Sequence, residues 1–312
     1  MQKALKQKLQ AIFPLTRFDE PLSKHSTFRI GGKADAYIEL ADLDPKTPTS
    51  LQALIKFCRQ NRIPFFILGG GSNVLFHDKG FRGIIIKITA NHLTIKTLKN
   101  KKALAIADAG LPLGVLVKKA KDAGYSNFDS WLGIPGTVGG AVRGNAGAQG
   151  LEIKDTLLYA EIFNPKTGLT RELTPKNLKM KYRSSSLKKD NRIVLRAVFE
   201  LKKSKTTGNS LPPLLFRLQN QPKGYSAGSF FKNPGKFKAG YLIDQCGLKG
   251  LKIGGAQISN KHANFFINVG AETKTPATQK DLLALAAKAK KEVYKKFKIR
   301  LEEEVQIVPE KP

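Results

Sequence analysis

Seven glycines fall between positions 133 and 150, six of them within the run Gly133-Ile134-Pro135-Gly136-Thr137-Val138-Gly139-Gly140-Ala141-Val142-Arg143-Gly144-Asn145-Ala146-Gly147. Glycine loses more backbone entropy on ordering than any other residue, so an ordinary loop has no reason to carry so many. The segment is expected to be a glycine-rich loop from 133 to 150 that lies against a flat, extended ligand. A second site, Gly69-Gly70-Gly71-Ser72-Asn73, directly follows an apolar run at Phe65–Leu68 that reads as a strand. Consecutive glycines admit positive φ and bring successive N–H groups onto an anion, as a nest does for a pyrophosphate. The bland alternative is a tight turn, for which three glycines and two polar side chains are more than is needed. Two such segments imply a dinucleotide held along its length. Neither is GxGxxG or GxxxxGK[ST], so both a Rossmann fingerprint and a P-loop are absent.

The remaining pattern is α+β. Helices are expected over 49–62, with Thr49 as N-cap, over 112–123, and from about Thr278 onward. Strands are expected over 83–88, 91–98, 103–107, Leu157–Phe163, Ile193–Leu201, 263–269 and 299–308, with residues 99–102 joining the second and third of these. The polar stretch 202–213, KKSKTTGNSLPP, has no apolar periodicity and ends in two prolines, which sets a domain border at 205/206. A chain of 312 residues has the length for two such domains. No apolar run approaches the roughly 20 residues that span a bilayer, and residues 1–10 lack the apolar core of a signal peptide, so a cytoplasmic protein without membrane insertion is expected. Cys58 and Cys246 each sit in an apolar helical pattern and read as small core residues rather than a disulfide.

Charge is the abnormal total: 54 Lys and Arg against 24 Asp and Glu give +30. That balance attracts polyanions. The densest basic stretch, residues 274–300, carries an apolar stripe at Leu282, Leu285, Ala286, Ala289 and Val293, so a solvated helix face is favoured over a nucleic-acid footprint. No base-reading motif accompanies it, and no nucleic-acid partner is expected. Two hydrolase-like patterns also fail. Gly224-Tyr225-Ser226-Ala227-Gly228 fits GxSxG but has neither an apolar strand before it nor a helix start after it, and Ser229-Phe230-Phe231-Lys232 fits SxxK without the partner motifs in order. The four histidines, His25, His77, His92 and His262, have no metal-ligand spacing, and no metal is expected.

What remains is a set of reactive side chains in loop contexts: Tyr182-Arg183, Ser229 with Lys232 and Asn233, and Glu304. The segments HSTFRIGG, ILGGGSNVL, GIPGTVGGAVRGNAGA, YRSS, SAGSFFKNP, AGYLIDQCGLKGLKIGGAQISNKHANFFIN and EEEVQI occur in that order from His25 to near the C-terminus. In these the chain resembles the UDP-N-acetylenolpyruvoylglucosamine reductase family. Only 45 residues lie between Arg183 and Ser229, as in the shorter subtype without the tyrosine-bearing insertion. Gly144, Gln149 and Gln306 stand where Met, an aromatic and a basic residue are common in that family.

The resemblance implies an FAD-binding domain of the vanillyl-alcohol oxidase and p-cresol methylhydroxylase type in two lobes, residues 1–205, and a smaller α+β substrate domain, residues 206–312. It implies noncovalent FAD, NADPH as hydride donor, a UDP-sugar substrate and a monomer acting in cell-wall precursor synthesis, and with it in cell shape and division. Cofactor contacts are expected from Gly69, Gly70, Gly71, Ser72, Asn73, Gly133, Ile134, Gly136, Thr137, Gly139, Gly140, Asn145 and Gly147. By the same resemblance Arg183 holds the developing carboxylate charge, Ser229 protonates C2 of the enolpyruvyl group, and Glu304 is the acidic partner, either protonated or paired. Tyr182, Lys232 and Asn233 are the substrate-binding residues, with Tyr182 near the nicotinamide and the other two at the sugar diphosphate. An oxidase with a covalent flavin is the rival within the fold; no His or Cys lies in either glycine segment to carry that link.

Overall fold

A computed structural model describes residues 1–44, 47, 49–98, 103–203 and 213–311. Its elements run α1 (Lys3–Ile12), β1 (Arg17–Pro21), β2 (Lys33–Leu40), α2 (Leu51–Gln60), β3 (Phe65–Leu68), β4 (Val74–Phe76), β5 (Phe81–Ile88), β6 (Leu93–Thr97), β7 (Ala103–Asp108), α3 (Leu113–Asp122) and α4 (Val138–Gly144). They continue through β8 (Gly147–Ala148), β9 (Leu151–Glu152), β10 (Leu157–Phe163), β11 (Thr170–Leu173), β12 (Ile193–Leu201), α5 (Pro213–Asn220), α6 (Ala239–Gln245), β13 (Lys252–Ile253), β14 (Ala256–Ile258), β15 (Phe266–Asn268), α7 (Gln279–Phe297) and β16 (Gln306–Val308). The α+β expectation holds. Among the described residues no helix is long and apolar enough to cross a membrane.

Two compact units divide the chain: residues 1–16, 37–70 and 85–216 form the first, and 17–36, 71–84 and 217–312 the second. The expected border at 205/206 and the join at 99–102 lie outside the described residues. The second unit gathers three separate stretches, and the borders of two of them fall inside β2 and β5.

The first unit is built on a sheet of order β11-β10-β12-β7-β6. Its neighbours pair antiparallel, with Ala197 opposite Ala107 and Ala160 opposite Leu173. β12 reads IVLRAVFEL, and its β-branched and aromatic residues suit a pleated surface buried along most of its length. A stacked Phe128–Trp131 pair, centroids 4.8 Å apart, meets Phe199 of that strand edge-on. α2 starts one residue later than expected, because Ser50 rather than Thr49 holds the extended cap conformation and accepts the Ala53 N–H at 3.3 Å.

In the second unit α7 packs Leu282, Leu285, Ala286, Ala289 and Val293 into a core with Phe28, Phe230, Phe231 and Phe266. Thr278 and Asp281 close a reciprocal capping box at its start. Phe230 and Phe266 stack at 4.5 Å. The strand expected over 299–308 is a correction: only Gln306–Val308 is a strand, paired parallel with Val74–Phe76. Residues 302–304 instead take residues 230–232 as partners, through Lys232 N–H to the Glu302 carbonyl at 2.9 Å and Glu304 N–H to the Phe230 carbonyl at 2.8 Å. The segment changes partner midway, which breaks one strand into two short contacts.

Candidate functional site

In the first unit the two glycine segments touch. A methyl built on Gly69 comes 2.7 Å from Thr137 Oγ1, and one on Gly70 comes 2.8 Å from Gly136 Cα, so neither position admits a side chain. The expected loop from 133 to 150 is a second correction. After left-handed turns at Gly133 (φ 80°) and Gly136 (φ 118°), the chain forms α4 with Thr137 as its cap, accepting the Gly140 N–H at 3.4 Å. Asn145 then takes φ 46°, and the hairpin β8–β9 turns through Gln149 (φ 51°) and Gly150 (φ 85°), the two positive-φ positions a tight hairpin needs. Gly139 N–H donates to the Ala109 carbonyl at 2.8 Å, and a methyl on Gly139 would lie 2.9 Å from Ala109 Cβ. Several of the glycines are therefore accounted for by close backbone approach within the protein.

Others are not. A methyl on Gly140 meets nothing nearer than Thr137 Oγ1 at 3.7 Å, and one on Gly144 meets nothing within 4 Å. These two leave bare backbone on α4. A flat dinucleotide needs such side-chain-free backbone along its length, so the residues present fit the FAD that the resemblance implies. Ile134 is half-buried beside this turn, its N–H donated to the Trp131 carbonyl at 2.9 Å.

Tyr182 and Arg183 form the tip of a turn in which Lys181 and Ser184 exchange main-chain hydrogen bonds, both 2.9 Å. Arg183 lies at φ 51°, a region that arginine enters at a cost. Its Nη2 donates to the Gly147 carbonyl at 2.7 Å, and its guanidinium carbon is 5.2 Å from the centre of the exposed Tyr182 ring. Gly147 is buried, and a methyl there would strike the Leu151 carbonyl at 2.5 Å. The structure thus brings Gly147, Asn145, Tyr182 and Arg183 together. Hydrogen bonds to Asp155 and Glu152 hold the nearby Lys154 ammonium above its usual pKa.

In the second unit, Gly71 (φ 67°) packs against the His25 carbonyl, which an added methyl would reach at 1.9 Å. Half-buried Ser72 and Asn73 follow, and Asn73 Nδ2 donates to the Glu304 carbonyl at 3.1 Å while its own carbonyl accepts the Gln306 N–H at 3.0 Å. Ser229 pairs in an isolated bridge with Phe265, and the next residue, Phe230, accepts the Glu304 N–H. Ser229, Glu304 and Asn73 are therefore joined by neighbouring backbone. Lys232 Nζ meets the Glu302 carboxylate. Asn233 Oδ1 accepts the Ala239 N–H at the start of α6, at 3.0 Å.

Sequence reasoning missed Asn264. This residue, 2% exposed, accepts the Phe231 N–H through Oδ1 at 2.9 Å and donates Nδ2 to the Phe231 carbonyl at 2.8 Å, which fixes the segment carrying Ser229. The available signal was the pair of amides, Asn264 and Asn268, inside the otherwise apolar run Ala263 to Val269. Its N–H donates to His262 Nδ1 at 3.2 Å, and burial keeps the His262 imidazole below its usual pKa. Among the described residues no group of three or more His, Cys, Asp or Glu is placed to hold a metal ion.

A family model described as an FAD binding domain matches residues 40–174, and one described as the C-terminal domain of UDP-N-acetylenolpyruvoylglucosamine reductase matches residues 220–308. A protein of that name from Alkaliphilus oremlandii is 39% identical over 304 residues, covering 95% of this chain and 94% of its own length. One from Listeria monocytogenes is 39% identical over 308 residues, covering 97% and 98%. A crystal structure of UDP-N-acetylenolpyruvylglucosamine reductase from Thermus caldophilus superposes with a TM-score of 0.72 at 32% identity, covering 95% of this chain and all of that one.

Proposed function

The chain belongs to the UDP-N-acetylenolpyruvoylglucosamine reductase family, and from that membership we infer that it is an FAD-dependent oxidoreductase that uses NADPH to reduce UDP-N-acetylglucosamine-enolpyruvate to UDP-N-acetylmuramate. The observation that carries this reading is the pair of family matches, over 40–174 and 220–308, on a chain that is 39% identical to a named reductase over 95% of its length. The reaction belongs to peptidoglycan precursor synthesis, and with it come the cytoplasm as the place of work, a part in cell shape and division, and a monomer as the working form.

When bound, noncovalent FAD supplies the hydride relay between NADPH and C3 of the enolpyruvyl group. The protein's part is to position the substrate and manage charge and a proton. Hydride addition at C3 drives charge toward the pyruvyl carboxylate, and the planar Arg183 guanidinium, steadied by the Gly147 carbonyl, suits that charge with a two-pronged contact. Ser229 delivers the proton to C2. A hydroxyl is a weak acid, but a carbanion-like carbon is a strong base, so placement counts for more than acidity. Glu304, held beside Phe230 by its main chain, is the acidic partner of that step. Lys232 and Asn233 take the sugar diphosphate; the Asn233 oxygen serves α6, so the amide N–H end is the end an anion meets. Tyr182 lies near the nicotinamide. Gly69, Gly70, Gly71, Ser72, Asn73, Gly133, Ile134, Gly136, Thr137, Gly139 and Gly140 line the flavin.

The absorbance spectrum of the purified protein tests the cofactor half of this reading. A flavin spectrum that NADPH bleaches without oxygen, with FAD released intact on acid precipitation, is the expected result. Colourless protein that FAD does not reconstitute contradicts it.

A further inference from the structure

We propose that Asn145 is a positioning residue for Arg183, tying the turn that carries the guanidinium to the end of α4, and not a residue that meets the cofactor. The proposal rests on the role given to Arg183 above.

Asn145 has no accessible surface, and its left-handed backbone is one that asparagine adopts more readily than most residues. A primary amide offers two N–H donors and one oxygen. Here Nδ2 donates to the Glu152 carboxylate at 3.0 Å and to the Lys181 carbonyl at 2.9 Å, and Oδ1 accepts the Lys154 N–H at 2.9 Å. Both donors are spent within the protein, which leaves none for a ligand. The bond to Lys181 is the one with a consequence. Because Lys181 and Ser184 pair through their main chains, a shift of the Lys181 carbonyl carries Tyr182 and Arg183 with it. Ser185 fastens the far side of the same turn, its Oγ donating to the Arg143 carbonyl at 2.6 Å. The third tie is Arg183 Nη2 to the Gly147 carbonyl.

Residues 143, 145 and 147 thus each hold one point of the turn 181–185. Only the last bond touches the guanidinium. The other two act through backbone, and they are needed because Arg183 itself sits in a conformation that a loose turn abandons. Displacing a binding group by about 1 Å costs on the order of 10²-fold in rate, so a modest loosening of this turn has a measurable effect.

The test is a double-mutant cycle on the oxidation of NADPH-reduced holoenzyme by the enolpyruvyl substrate, followed by stopped-flow flavin absorbance. Arg183→Ala is expected to slow this step by about 10² or more. Asn145→Ala should slow it by about 10-fold, with flavin affinity unchanged, and should add less than about 2-fold on top of Arg183→Ala, since a residue that acts through another has nothing left to lose. Trypsin should also cut the Asn145→Ala holoenzyme after Lys181 or Arg183 sooner than wild type, as located by mass spectrometry. Should Asn145→Ala not fold, Ser185→Ala carries the same cycle with a smaller expected loss. Additive losses in the double variant overturn the proposal, as does loss of flavin with both half-reactions slowed, which makes Asn145 a cofactor residue. A wild-type rate in Asn145→Ala and Ser185→Ala alongside a slow Arg183→Ala overturns the proposal alone. A wild-type rate in Arg183→Ala overturns the reading of Arg183 and the proposal with it.

Discussion

Gly139 and Gly140 are adjacent on α4 and predict opposite behaviour. Successive helical residues point about 100° apart, so the two face different surroundings. A methyl on Gly139 would lie 2.9 Å from Ala109 Cβ and 3.1 Å from the Ala109 carbonyl, and neither atom belongs to a flexible side chain. Overpacking of this kind costs about 1–3 kcal/mol, against a gain of about 0.5–1 kcal/mol for replacing glycine in a helix. Gly139→Ala should therefore lose about 1 kcal/mol and about 2–4 °C in Tm. At Gly140 the nearest atom is 3.7 Å away, so Gly140→Ala should hold or raise Tm. Gly140→Leu should also keep its Tm, but its side chain would stand on the bare face assigned to the flavin. A clash of about 3 kcal/mol there weakens FAD binding by at least about 10²-fold. Thermal melts of the flavin-free variants and fluorescence titration with FAD separate the two effects. If Gly140→Leu melts normally and binds FAD like wild type, α4 is not the flavin's cradle.

Ser229→Ala should leave flavin reduction by NADPH nearly intact and slow oxidation by the enolpyruvyl substrate by at least about 10²-fold, with Ser229→Cys recovering part of the loss; equal slowing of both half-reactions in stopped flow would make the serine structural. Burial pushes the Cys58 thiol up to about 12, so the thiol stays protonated in the folded state and any stability it lends is complete below its ordinary value and lost only as pH rises toward 12. Ellman's reagent at pH 8 should accordingly leave Cys58 unlabelled until the protein unfolds, and rapid labelling of Cys58 in the native protein would refute its burial. Duplex DNA should bind weakly and lose affinity steeply with salt; tight, sequence-selective binding at physiological salt would mean that the basic surface reads nucleic acid.

Where local pattern decides structure, the sequence was legible. Strands β10 and β12 have the limits expected from the sequence, because each is a mainly apolar run set off from its neighbours by polar and turn residues. α4 was not legible: glycine's low helix propensity reads as loop, and only the contact of Gly139 with Ala109 and the cap by Thr137 make helix the better arrangement. The split of 299–308 was hidden for another reason, since its two partners, at 230–232 and 74–76, are distant in sequence and neither is marked by its own pattern. Glycine segments could be found by entropy alone, but which glycines serve a ligand and which serve packing depends on neighbours such as His25 and Ala109. Arg183, Ser229 and Glu304 came from family resemblance, because isolated polar residues in loops carry no periodic signal. Asn145 and Asn264 each hold a loop by side-chain hydrogen bonds to its backbone, a role that composition does not reveal.

The central claim is that one flavoprotein joins NADPH oxidation to reduction of an enolpyruvyl sugar nucleotide. Holoenzyme reduced by one equivalent of NADPH without oxygen, then mixed with UDP-N-acetylglucosamine-enolpyruvate, tests it most directly. The account predicts that the oxidised flavin spectrum returns and that UDP-N-acetylmuramate forms in a one-to-one ratio with NADPH consumed. Flavin that stays reduced until oxygen is admitted, with the enolpyruvyl compound recovered unchanged, would contradict it.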